Sequence, residues 1–169
     1  MNENATRRTS KIRTCVLHEI ATLKKILPKK SFNLYEQLYI DLPENTIAEK
    51  ITKLRLMKNL EKKDLAKALG FHLDTIIGWE VFNVFPKPDN ILSLCKFFDT
   101  SPGYFDDYYG FYFSNPEIKL RAWKEKNNFS NQKAADVIGI STSAFARLLS
   151  GKLKPSVEMY LKLKEVGAI

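Results

Sequence analysis

The chain has 169 residues, 44% of them hydrophobic, 12% aromatic and 27% charged, a composition that builds packed cores and excludes a disordered or low-complexity chain. No run approaches the roughly 18–20 uninterrupted apolar residues of a membrane span, and the opening MNENATRRTS lacks the apolar core of a secretory signal, so the expected setting is the cytoplasm, with no membrane partner. The net charge of +8 points to an anionic partner, since Lys and Arg displace the counterions condensed on nucleic acid, and the two cysteines, Cys15 and Cys95, suit a reducing compartment without a disulfide framework.

In chain order, residues 1–10 read as a basic arm in which Arg7 and Arg8 precede Lys11 and Arg13. Such an arm either follows a DNA groove or is a solvated terminus. Residues 11–27 form an amphipathic helix with Ile12, Val16, Ile20, Leu23 and Leu27 on one face, ended by Pro28. That face needs a partner, supplied by the following domain or by a second chain, which makes a homodimer one expected state. The stretch SFNLYEQLYIDLP is too short and ambiguous to assign. Residues 1–46 together form a basic arm and helical extension ahead of two domains, 47–108 and 109–169.

Those two domains are copies of one unit. Shifting the chain by 69 residues without a gap sets Lys50 on Lys119, Asn59 on Asn128, Ala66 on Ala135, Gly70 on Gly139, Pro86 on Pro155, Leu92 on Leu161 and Leu94 on Leu163. Two unrelated amphipathic helices would not hold Gly and Pro in register over such a span. Each copy opens with a helix, at 47–59 or 117–128, whose apolar residues recur at three- and four-residue spacing, as Ile47, Ile51 and Leu54 do. A second helix follows at 62–69 or 131–138, capped in the later copy by Ser130 and ended by Gly70 or Gly139. Ala66 and Ala135 supply the small side chain where two steeply crossed helices meet. A third short helix begins after His72 or Ser141 and faces the core through Ile76 with Trp79, or Phe145 with Leu148. After a loop, Pro86 or Pro155 precedes a fourth helix.

Between the copies, YFDDYYGFYF at 104–113 holds seven aromatic residues in ten, unlike a flexible linker. It reads either as an interdomain core or as an exposed patch that makes a dimer, and a short connector between bundles favours the core. Charge is unevenly divided: residues 45–108 carry 9 basic and 9 acidic side chains, residues 109–169 carry 10 and 5.

The segments LRLMKNLEKKDLAKALGF with TIIGWE and LRAWKEKNNFSNQKAADVIGISTSAFARLLSGKLKP resemble the Cro/CI-type (XRE-type) helix-turn-helix domain, over roughly residues 45–169. The resemblance implies an all-α fold of two tandem lambda-repressor-like helix-turn-helix bundles, and a sequence-specific regulator of transcription, a bacterial or phage repressor, whose partner is double-stranded DNA. It also implies that the third helix of a copy enters the major groove while the start of the second touches phosphates.

In the second copy the residues so placed are Ser141, Thr142, Ser143, Ala144 and Arg147, with Asn131 and Gln132 on the preceding helix and Lys152 and Lys154 in the following loop. Arg can hold the acceptor edge of guanine through two bonds, Asn or Gln can pair with adenine, and hydroxyls reach bases or phosphates. The first copy departs at the same places: Asp74 repels phosphate, Ile77 is apolar and Gly78 has no side chain. Its Lys62, Lys63, His72, Thr75 and Lys87 leave it a choice between weaker DNA contact and a structural or self-association role. The second copy is therefore the expected main reader.

No cofactor, metal or catalytic machinery is expected. Cys15 and His18 are three apart, but only His72 and Cys95 remain as partners, and a closed zinc site needs about four ligands. There is no phosphate-binding glycine loop, no HExxH and no GxSxG. The reading from another class is a protein-interaction module, such as an antitoxin-like partner or an assembly adaptor built on the same fold.

Overall fold

The computed structural model describes residues 34–169, and the basic arm with Arg7 and Arg8, the helix expected at 11–27, and Cys15 with His18 lie outside the described residues. Among the described residues the chain is all-helical, and no helix is long and apolar enough to cross a membrane.

A short helix, α1 (Leu34–Tyr39), forms in the stretch that sequence periodicity left unassigned. It buries none of its own residues. What holds its end is Lys53, whose buried side chain donates to the carbonyls of Ile40 and Leu42 and pairs with Glu44 at 2.6 Å.

Four helices make the first repeat: α2 (Ile47–Met57), α3 (Lys62–Leu69), α4 (Leu73–Glu80) and α5 (Pro88–Phe98). At the start of α2, Thr46 Oγ1 accepts the Glu49 N–H while the Glu49 carboxylate accepts the Thr46 N–H, so two otherwise orphaned donors are satisfied reciprocally. The helix stops at Met57, two residues short of the expected end, because Asn59 turns left-handed with φ 54° and the Leu60 N–H folds back onto the Arg55 carbonyl. Asparagine tolerates that conformation better than most residues with a Cβ. Gly70, at φ 70°, ends α3 and lets the Phe71 N–H reach the Ala66 carbonyl, which turns the chain sharply into α4. Ile51, Leu65, Ala66, Ile76, Trp79, Ile91 and Leu94 close over one another, with Phe71 edge-on to Trp79 at 5.4 Å.

The second repeat obeys the same offset at the level of helix starts. Helices α8 (Pro116–Lys126), α9 (Asn131–Ile138), α10 (Thr142–Leu149) and α11 (Val157–Glu165) each begin 69 residues after their counterparts at 47, 62, 73 and 88. Asn128 and Gly139 repeat the left-handed turns, and Phe129 N–H to Lys124 O and Leu153 N–H to Arg147 O repeat the bonds that Leu60 makes to Arg55 and Val84 to Gly78. The duplicated unit is thus fixed by its turn residues as much as by its apolar positions. Leu92 and Leu161, matched by the offset on the fourth helices, are both exposed rather than part of the core.

Between the repeats lie α6 (Pro102–Phe105) and α7 (Asp107–Phe113), which pack through glycine: a Cβ on Gly110 would meet the Cα of Gly103 at 3.2 Å. None of the seven aromatic residues at 104–113 is exposed, so the segment is core and not an outward patch. Tyr109 donates its hydroxyl to the Pro86 carbonyl, and Tyr108 donates to the Pro155 carbonyl at 3.1 Å. Pro86 and Pro155 are the same position of the two copies, so adjacent tyrosines of one helix hold equivalent points of both. The sequence boundary between 108 and 109 falls inside α7. Burial pushes both phenols above their ordinary value, Tyr109 the further.

Candidate nucleic-acid interface

The exposed ends of α9 and α10 are built by hydroxyl capping. Ser130 Oγ accepts the Lys133 N–H at 3.1 Å and Ser141 Oγ accepts the Ala144 N–H at 3.2 Å, each cap contributing about 1 kcal/mol to its helix. The turn between them needs only Gly139, at φ 75°, and Ile140, whose N–H returns to the Ala135 carbonyl. Both helices bury one face, through Ala134, Ala135 and Ile138 on α9 and Phe145, Leu148 and Leu149 on α10. Their other faces are left to polar side chains.

Those side chains are joined across the turn. Thr142 Oγ1 donates to Gln132 Oε1, and Gln132 Nε2 donates to Asp136 Oδ1 at 2.8 Å. Ser141 Oγ and Ser143 Oγ stand 3.1 Å apart. Asn131 Oδ1 accepts from Lys124 Nζ at 3.0 Å, which brings in a cation from α8 that the sequence reading missed. The one available signal was the offset: Lys124 stands where the first copy has Arg55. Ala144 is half-buried, and Arg147 is exposed while its neighbours Phe145 and Leu148 are in the core. The side chain of Arg147 is therefore presented to solvent from the same helix that carries Ser141, Thr142 and Ser143. Lys152 is exposed in the following loop. Lys154 is exposed in the same loop, with Nζ 4.0 Å from the Glu117 carboxylate and 6.0 Å from the centre of the Tyr112 ring.

The corresponding cations of the first repeat are largely matched by acids. Lys62 Nζ lies 3.6 Å from Glu80, and Lys63 Nζ lies 2.8 Å from Glu61, whose hydrogen bond and charge raise the pKa of Lys63. His72 Nδ1 is 3.1 Å from the Asp74 carboxylate. Thr75 is half-buried, and Lys87 is exposed at the start of α5. The deepest difference between the copies is Glu80, whose carboxylate takes Arg55 Nε at 2.7 Å and Nη2 at 2.8 Å inside the first repeat. The second copy has Lys124 and Leu149 there, and Arg121 Nη2 instead donates to the Leu149 carbonyl at 2.6 Å. The internal ion pair of one copy is replaced in the other by a half-buried lysine that donates to Asn131 and by a buried leucine.

Among the described residues no group of three or more His, Cys, Asp and Glu side chains could hold a metal ion. No protein-family model, no curated protein and no solved structure matches the chain.

Proposed function

We propose that this chain is a sequence-specific double-stranded DNA-binding regulator of transcription, a repressor built on two tandem helix-turn-helix bundles, with the second bundle as its main reader. The observation that carries the reading is the polar face at the N-terminal ends of α9 and α10. Asn131, Gln132, Ser141, Thr142 and Ser143 lie there, with Arg147 exposed in the last turn of α10, on two short helices whose other faces are anchored in the core. A donor-rich helix end on a rigid bundle suits base edges and phosphates, and it carries no group arranged for catalysis. The mutual bonds of Gln132 with Thr142 and of Asn131 with Lys124 hold those amides in place before DNA arrives. Lys124 supplies positive charge beside Asn131, and the loop after α10 adds the exposed Lys152 and Lys154.

Selection of bound duplexes from a random pool, followed by titration of the best duplex at rising salt, tests the proposal. The expected result is a defined consensus and an affinity that falls steeply and linearly in log salt. A pool that stays random, with weak salt dependence, overturns it.

A second reading is favoured by a separate observation and concerns the first bundle. Its cations face acids, and the loop after α4 is apolar where the second bundle has Lys152 and Lys154. That chemistry fits a protein surface better than a phosphate backbone.

A further inference from the structure

Lys50 and Lys119 are the same position of the two copies, and each reaches the aromatic connector. Lys50 Nζ is satisfied there: it donates to the Phe105 carbonyl at 3.0 Å and stands 5.7 Å from the centre of the Tyr104 ring. Lys119 Nζ stands 5.6 Å from the centre of the Phe111 ring and has no hydrogen-bond or ion-pair partner among the described residues. A cation that the first copy closes with a carbonyl is left open by the second. Lys119 lines a cavity of about 300 Å³ between the connector and the second repeat. Gly103 of α6 and Gly110 of α7 border it with backbone alone, and the buried rings of Phe111 and Tyr160 border it 5.6 Å apart. Lys164 of α11 is its second cation, with Nζ 5.4 Å from the centre of the Tyr160 ring and 4.0 Å from the Asp107 carboxylate.

We propose that this cavity binds a small organic anion, a carboxylate carried on a single flat ring, with Lys119 holding the carboxylate and Phe111 and Tyr160 packing against the ring. Charge, size and wall chemistry each select that class. Lys164 has an acid beside it and Lys119 has none, so the lining balances one added negative charge. The volume lies at the lower end of the roughly 300–1,000 Å³ typical of ligand pockets, which admits one ring and leaves no room for a nucleotide. Two aromatic side chains and two side-chain-free glycines give a flat body surfaces to lie against. The lining comes from α6 and α7 on one side and α8 and α11 on the other, so an occupant ties the connector to the second repeat and stabilises the pair. None of Asn131, Gln132, Ser141, Thr142, Ser143 and Arg147 lines it, and the inference does not depend on DNA binding.

Titration of the full-length chain with benzoate, with its neutral counterpart benzamide and with inorganic phosphate, followed by amide chemical shifts, tests it. Benzoate is expected to saturate in the millimolar range or below, as a ligand of this size can, with the shifts concentrated at Gly103, Gly110 and Lys119. Benzamide and phosphate are each expected to bind at least about tenfold more weakly, the first for want of charge and the second for want of a ring. Lys119→Gln should weaken benzoate at least about tenfold through loss of a charge-assisted hydrogen bond, whereas Lys50→Gln, the same position of the first copy, should keep its affinity. Lys119 is exposed, so an unchanged melting midpoint is expected for its variant. Benzoate that never saturates overturns the proposal, as do shifts that gather on α9 and α10 instead. Benzamide or phosphate binding as tightly as benzoate overturns it too, by removing the need for the charge or for the ring. Full benzoate affinity in Lys119→Gln also overturns it.

Discussion

The carboxylate of Glu80 is 1% exposed and holds Arg55 at two points, while Arg55 Nη1 donates to the Leu60 carbonyl at 2.7 Å. Removing one member strands the other charge in the core of the first repeat. Glu80→Ala is therefore expected to cost about 3–5 kcal/mol in denaturant unfolding. Changing both positions to the residues of the second copy, Arg55→Lys with Glu80→Leu, should cost less than Glu80→Ala alone, since no unpaired guanidinium is left in the core and a lysine can extend outward. A double change that is worse than the single one would mean that the pair fixes packing beyond its charges. No sequence pattern announced this pair, because its members are 25 residues apart and meet only once α2 and α4 have packed. Arg147 was easier to read, since its place between two core positions of one helix follows from helical spacing alone. If it reaches a guanine, Arg147→Ala should lower affinity for the preferred duplex by about 1–3 kcal/mol and relax preference at that base pair. If it reaches only phosphate, the loss should be uniform across sequences and the salt slope should shrink by about one ion. Binding to single-base variants of the site distinguishes these, and the unfolding midpoint should be unchanged.

Individual helices were legible wherever local chemistry decides them. The spans of α3 and α9 follow from a polar start and a closing glycine, and those two spans agree with the sequence expectation. The first helices of each copy end earlier than their apolar pattern suggests, because the left-handed Asn59 and Asn128 close them two residues before the polar run finishes. Helix α1 gives no periodic signal in six residues, and its closure depends on Lys53, far enough along the chain that only the folded structure reveals it. The candidate interface was legible as a set of positions, but the bonds of Gln132 to Thr142 and of Lys124 to Asn131 cross between helices and were not. The packing of α6 on α7 offers a test of element against element. Alanine is favoured over glycine within a helix by about 1 kcal/mol, so propensity alone makes Gly110→Ala stabilising. Its Cβ, however, would stand 3.2 Å from the backbone of Gly103, which cannot give way as a side chain tip would. Net destabilisation of about 1–3 kcal/mol is expected, read as a lower thermal midpoint; a raised midpoint would mean that the two helices separate freely.

Across the whole molecule, the buried residues of both repeats and of α7 form one contiguous cluster, so a single unfolding transition is expected for the described part of the chain. Alkali should weaken it. The fold holds the phenol protons of Tyr108 and Tyr109 more tightly than the unfolded chain does, whose tyrosines titrate near the ordinary value of 10.0. Stability from this source is complete below that value and is lost as pH rises above it. Denaturant melts at increasing pH should show the fall beginning near pH 10, and Tyr108→Phe with Tyr109→Phe should flatten it; an unchanged slope in the variant would assign the fall to other groups. The same two hydroxyls also set an order of events on the ribosome. Tyr109 looks back 23 residues to Pro86, which has already been made when it emerges, whereas Tyr108 looks forward 47 residues to Pro155, which has not. At roughly 5–20 residues per second, the first repeat can be latched several seconds before its neighbour's docking point emerges. Through that interval the far side of α7 stands open with Tyr108 and Phe111 uncovered, so the nascent chain passes through a stage in which the aromatic surface later shared by the two repeats belongs to only one of them.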